Sequence, residues 1–125
     1  MKKLFKFNDT ISGSTFIIRH VISIILIAIT AFFMGAGIGV ENNASVIIFA
    51  FLMSLSIYFN FVTIYKRINA LFPERLKELM IFIILGNLSI LLLEGSPIVI
   101  LLNLIFVIFN LILTFKNSNI TEHKG

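Results

Sequence analysis

The chain has 125 residues, of which 58% are hydrophobic and only 13% charged, and its mean hydropathy is +1.06. A soluble domain is about 45–50% apolar and about 25% charged. A water-soluble globule, a disordered tail and a fibrous repeat are therefore excluded, and 1–125 reads as a single integral membrane domain.

The chain begins with Lys2, Lys3 and Lys6 interleaved with Leu4, Phe5 and Phe7. Residues 1–14 read as an interfacial segment, with rings at the headgroup boundary and lysines on anionic lipid. This start resembles the n-region of a signal peptide. Asp9 and the polar run Ser12-Gly13-Ser14-Thr15 separate it from the apolar stretch, which reads as a span rather than a cleaved leader.

Uncharged stretches at Val21–Val40, Asn42–Tyr65 and Gly95–Phe115 are each 20 residues or more. About 20 helical residues span a bilayer, so each is long enough. Between them Leu79–Leu93 holds only 15. Pro73 suits a helix's first turn and Glu74 its positive dipole end, so a third helix over 73–93 also reaches spanning length. Glu94-Gly95-Ser96-Pro97 breaks it from the fourth. The expected fold is an all-α four-transmembrane-helix bundle, with helices at about 15–40, 43–66, 73–93 and 96–116. Residues 117–125 form a polar, mobile tail.

The charges test this arrangement. All 10 Lys and Arg fall before helix one, between helices two and three, or after helix four, and the opposite loops carry only Glu41 and Glu94. The positive-inside rule then places both termini in the cytoplasm. It also accounts for the net charge of +4 without a nucleic-acid partner, and no nucleic-acid motif accompanies it. Arg19, Lys66, Arg67, Arg75 and Lys77 form the expected cytoplasmic basic collar, read as a topology signal and lipid-phosphate contact, or as a docking patch. Glu74 and Glu78 sit among the last of these as a solvated, mutually neutralised face. His20 beside Arg19 reads as an interfacial anchor.

Little catalytic chemistry is available. There is no Cys, one Asp and two His, His20 and His123, far apart in the chain. No metal-ligand spacing, nucleophile motif or phosphate loop occurs. No catalytic, metal or cofactor-binding residue is assigned, and an enzyme is not expected. No ionisable side chain lies in the middle of a span, which disfavours proton-coupled transport.

The polar residues within the spans are amides and hydroxyls. Ser56, Asn60, Thr63 and Arg67 share one face of helix two, and Ser96, Asn103, Asn110 and Asn117 recur every seven residues on helix four. Helix three adds Asn87. Asn60, Asn87, Asn103 and Asn110 are the expected intramembrane polar contacts, because a lipid-facing amide is costly. Asn87 and Asn103 lie at similar depth in the expected hairpin and should approach each other, directly or through a water, and Asn60 and Asn110 share a second depth. On helix one, Ala31, Gly35 and Gly39 recur every fourth residue and predict a close-packed helix face.

The entry from Phe5 to Phe16 (FKFNDTISGSTF) and the segment Lys66-Arg67-Ile68-Asn69-Ala70 together resemble a bacterial inner-membrane family. This is the family called domain of unknown function 805, whose motifs read Phe-x-Gly-Arg-x-Ser-Arg-x-x-Phe/Tyr and Lys/Arg-Arg-Leu-His-Asp. Phe7, Ser12, Phe16, Lys66 and Arg67 match; Asp9, Thr10, Gly13, Asn69 and Ala70 depart. The resemblance implies a bacterial inner-membrane location and four spans with both ends inside, but no reaction.

Two functions remain open. The first is a non-catalytic protein acting by association with membrane partners, whether another membrane protein or a second copy. The second is a subunit of a small oligomeric channel or transporter lined by the polar stripes of helices two and four.

Overall fold

The computed structural model describes residues 10–116, which form four α-helices and no strand among the described residues. They are α1 (Gly13–Gly39), α2 (Asn43–Leu71), α3 (Leu76–Leu92) and α4 (Pro97–Phe115), with a 3-10 turn at Pro73–Arg75 ahead of α3. Most of the expected interfacial segment and all of the tail lie outside the described residues. Helices α1, α2 and α4 are long and apolar enough to cross a membrane. The α3 helix has 17 residues, because the first turn expected at Pro73 is a separate 3-10 turn.

Local chemistry explains the boundaries. Ser12 caps α1 by accepting from the Thr15 amide at 3.2 Å, and Asn42 caps α2 by accepting from Ser45 at the same distance. Both occupy an N-cap position where a short polar side chain replaces the missing helical acceptor. Ser96 caps α4, whose first residue is Pro97. The end of α1 is a Schellman-type turn in which the Asn42 amide donates to the Gly37 carbonyl at 2.8 Å. Its left-handed residue is Glu41, at φ 56°, where glycine is usual. Gly95, at φ 87°, is the left-handed residue of the turn between α3 and α4, in which the Ser96 amide donates to the Leu93 carbonyl at 2.9 Å. The α2 helix continues five residues beyond the expected end, so Lys66 and Arg67 lie inside it.

The α1–α2 pair is the most extensive contact. Along α1 the buried residues are Phe16, Ser23, Thr30 and Gly37, a seven-residue recurrence. That period belongs to a left-handed helix seam. Small residues on it bring the backbones close, and a Cβ added at Gly37 would lie 3.1 Å from Val46 and 3.2 Å from the Ser45 hydroxyl. Phe33 stacks on Phe49 across the same pair, with centroids 5.2 Å apart.

This corrects the expected small-residue face. Ala31, Gly35 and Gly39 are exposed, and nothing lies within 4 Å of a Cβ placed at Gly35 or Gly39. A four-residue recurrence advances about 40° around the helix at each step, so it leaves a seam that a seven-residue recurrence follows.

The α3–α4 pair meets at Gly86, where an added Cβ would overlap the Phe106 ring. Phe82 packs on the same ring at 5.6 Å between centroids. The buried apolar cluster of Ile11, Phe16, Ile64, Ile68, Ile83 and Leu113 gathers all four helices toward the end that holds the α2–α3 turn. Elsewhere large apolar side chains face outward, from Ile18 and Phe32 to Leu92 and Phe115. On a membrane protein that surface meets lipid.

Candidate functional site

Arg67 is the hub of the converging end. Its side chain is 2% exposed although it carries a permanent charge. The guanidinium fork donates to three backbone carbonyls from two distant segments. Nε donates to Leu113, Nη2 to Lys116 at 2.6 Å, and Nη1 to Ile11 at 3.1 Å. The Leu113 carbonyl belongs to the last turn of α4, where no amide further along the helix can serve it. Arg67 therefore caps α4 from α2, with its cation at the negative end of the α4 dipole. Through Ile11 it also fixes the chain just before α1. The two ends of the described chain are thus held side by side.

Gly13 makes this convergence sterically feasible. A Cβ there would lie 2.1 Å from the Thr114 carbonyl oxygen and 3.2 Å from Arg67 Nη2. Lys116 closes the cluster from outside, with Nζ 5.6 Å from the Phe72 ring centroid. This is a cation–π distance.

The expected basic collar is divided by this arrangement. Lys66 and Arg67 are buried, at 0% and 2% exposure, whereas Arg75 and Lys77 are exposed and Arg19 is half-buried. Arg67 is not a lipid-phosphate contact, because its fork is occupied by carbonyls. Arg75 pairs with Glu78 at 3.8 Å on a solvent-exposed face, where an ion pair adds little stability.

A second polar cluster lies between α1 and α2. Asn60 Oδ1 is 2.8 Å from His20 Nδ1 and 2.9 Å from the Ser23 hydroxyl, which also reaches the His20 carbonyl at 2.8 Å. With a proton on Nδ1, His20 donates to the amide oxygen. Its ring stacks on Phe16 with centroids 5.3 Å apart. His20 is thus part of the interhelical contact rather than a free interfacial anchor. The signal for it in the sequence was its position, four residues after Phe16 and three before Ser23, on the heptad seam.

The other amides behave differently. Asn87 Nδ2 donates to the Ile83 carbonyl of its own helix at 2.8 Å, and no hydrogen bond among the described residues joins it to Asn103. The direct form of the expected contact is absent, and the α3 residue packed against α4 here is Gly86. Asn103 is exposed, while Asn110 is half-buried. Asn110 lies beside Phe109 and Leu113 at the end where the helices converge, whereas Asn103 lies one repeat away from it. No hydrogen bond among the described residues joins Asn60 to Asn110, and the Asn60 oxygen is engaged with α1. Most hydroxyls bond back to their own helix, as Ser56 does to Leu52, Thr63 to Phe59 and Thr114 to Asn110.

Among the described residues no group of three His, Cys, Asp or Glu could hold a metal ion. Comparison of the chain with protein-family models, with curated proteins and with solved structures finds no match.

Proposed function

We propose that the chain is a four-span protein of the bacterial inner membrane with both termini cytoplasmic, non-catalytic, and acting by association with another membrane helix. Several observations support this topology. Ile11, Arg67 and Lys116 meet at one end, where Arg75 and Lys77 also lie, and this end gathers the positive charge as the positive-inside rule requires. The 3-10 turn and α3 together provide 20 residues, enough for the remaining span. The resemblance to the domain of unknown function 805 family agrees with the inner-membrane location.

One observation carries the association reading. Asn103 sits on the outer face of α4 among exposed Ile100, Leu104 and Val107, with no hydrogen-bond partner among the described residues. In hydrocarbon an amide without a partner is costly, and a neighbouring helix that hydrogen-bonds it relieves the cost. The channel reading has less behind it, because the α2 stripe turns inward. Asn60 bonds to α1, and Ser56 and Thr63 bond to their own helix.

The test is a photoreactive side chain at position 103, crosslinked in native membranes. Association predicts a discrete protein adduct, either a second copy or another membrane protein, that competes with the unlabelled chain. Adducts to lipid alone overturn it. Ion flux through proteoliposomes that disappears in Asn103→Leu while the fold survives would favour the channel.

A further inference from the structure

A groove of about 670 Å³ opens along one side of the α2–α3 pair, floored by Ile27 of α1. Its walls are almost wholly apolar, with Ile57, Phe61, Met80, Ile84 and Leu88 among them. Three residues with polar atoms interrupt this lining, Tyr58 and Asn60 from α2 and Asn87 from α3. Asn60 lies eleven residues before Leu71 and Asn87 eleven after Leu76. At about 1.5 Å per residue, both stand roughly 16 Å from the turn that joins their helices, so they share one depth.

Their hydrogen-bonding capacity is complementary. The Asn60 oxygen is taken by His20 and Ser23, which leaves the two Nδ2 hydrogens without an acceptor among the described residues. The Asn87 Nδ2 is used on the Ile83 carbonyl, which leaves its oxygen free to accept. The two amides therefore offer a donor and an acceptor at one level inside a largely apolar wall. Small-molecule sites have this form: mostly apolar, about 300–1,000 Å³, with a few polar groups that set orientation.

We infer that this groove binds a lipid-soluble molecule with a carbonyl-bearing head and an apolar tail, of the chemical class of isoprenoid quinones. The Asn60 amide donates to the carbonyl, Asn87 accepts from a hydroxyl where the head carries one, and the tail lies along Ile84 and Leu88. A headgroup phosphate does not fit the site, because no cation lines it. A plain acyl chain would leave both amides unmatched. The inference concerns binding only and is independent of what Asn103 contacts on the opposite helix.

The full chain in quinone-free phosphatidylcholine nanodiscs, titrated with a short-chain ubiquinone, tests this by native mass spectrometry. Saturable one-to-one binding is expected, weakened about tenfold by Asn60→Leu and less by Asn87→Leu, with helicity unchanged by circular dichroism. A farnesyl hydrocarbon of matching length should not compete. Equal binding by the Asn60→Leu protein, equal competition by the hydrocarbon, or no saturable binding overturns the inference. If Asn60→Leu loses its fold through the His20 contact, Ile84→Trp decides instead: it fills the groove from α3 and should abolish binding.

Discussion

Arg67 Nη2 and the Lys116 carbonyl oxygen are 2.6 Å apart, although 49 positions separate the two residues. This bond and its companions to Leu113 and Ile11 make one side chain the common anchor of α2, α4 and the entry to α1. A charge on this end of a membrane protein would ordinarily be assigned to lipid phosphate. Here the planar fork serves the Leu113 carbonyl in the last turn of α4 together with the Ile11 and Lys116 carbonyls just outside the helices.

Replacing Arg67 should therefore damage the fold rather than a surface property. Arg67→Leu strips donors from three carbonyls and is expected to cost about 3 kcal/mol, by the usual penalty for unsatisfied buried groups. Arg67→Lys keeps the charge but not the fork and should recover only part of the loss. Unfolding titrations in mixed detergent micelles measure both. Wild-type stability in Arg67→Leu would refute the anchoring role.

Gly13→Ala tests the same cluster from the other side. The new methyl would overlap the Thr114 carbonyl, and overpacking of this kind typically costs about 1–3 kcal/mol. Protease cleavage near Lys116 should accelerate in parallel, since the two chain ends separate together.

The two glycine patterns of α1 should respond oppositely. Gly37→Leu drives a side chain into Ser45 and Val46 and should destabilise the α1–α2 pair, whereas Gly35→Leu meets open space and should be nearly neutral. Thermal unfolding of the two variants compares them directly. A Gly35→Leu loss as large as that of Gly37→Leu would mean that the exposed face is itself a packed interface.

At Glu41 the prediction is a gain. A non-glycine residue in the left-handed region costs roughly 1 kcal/mol, so Glu41→Gly should raise stability by about that amount, less the entropy glycine adds to the unfolded chain. The comparison needs Glu41→Ala as a control for the lost charge. That variant should not be stabilised.

Topology can be read without background labelling, because the chain has no cysteine. Single cysteines at positions 41 and 94 should react with an impermeant maleimide from the periplasmic side of intact cells, and one at 74 only after permeabilisation. Labelling at 41 but not at 94 would mean that α3 does not cross the membrane.

Physical locality explains which features were legible in the chain. The membrane class, the four helices and the turns at Glu41 and Glu94–Pro97 follow from apolar run length, capping residues and charge placement, all of which act over a few residues. The rotation of each helix about its axis does not. In a soluble bundle a polar face would mark the outside, but lipid is as apolar as the interior, and that contrast vanishes here. Only packing decides that Thr30 and Gly37 face α2 while Ala31 and Gly35 face outward. Packing likewise turns Gly86 toward α4, which leaves Asn87 on the groove and Asn103 on the outer surface. The length and composition of the chain determined that it belongs in a bilayer. The tertiary structure decided where its few polar groups go, because a hydrogen bond such as that from Arg67 to Lys116 depends on segments that meet only after folding.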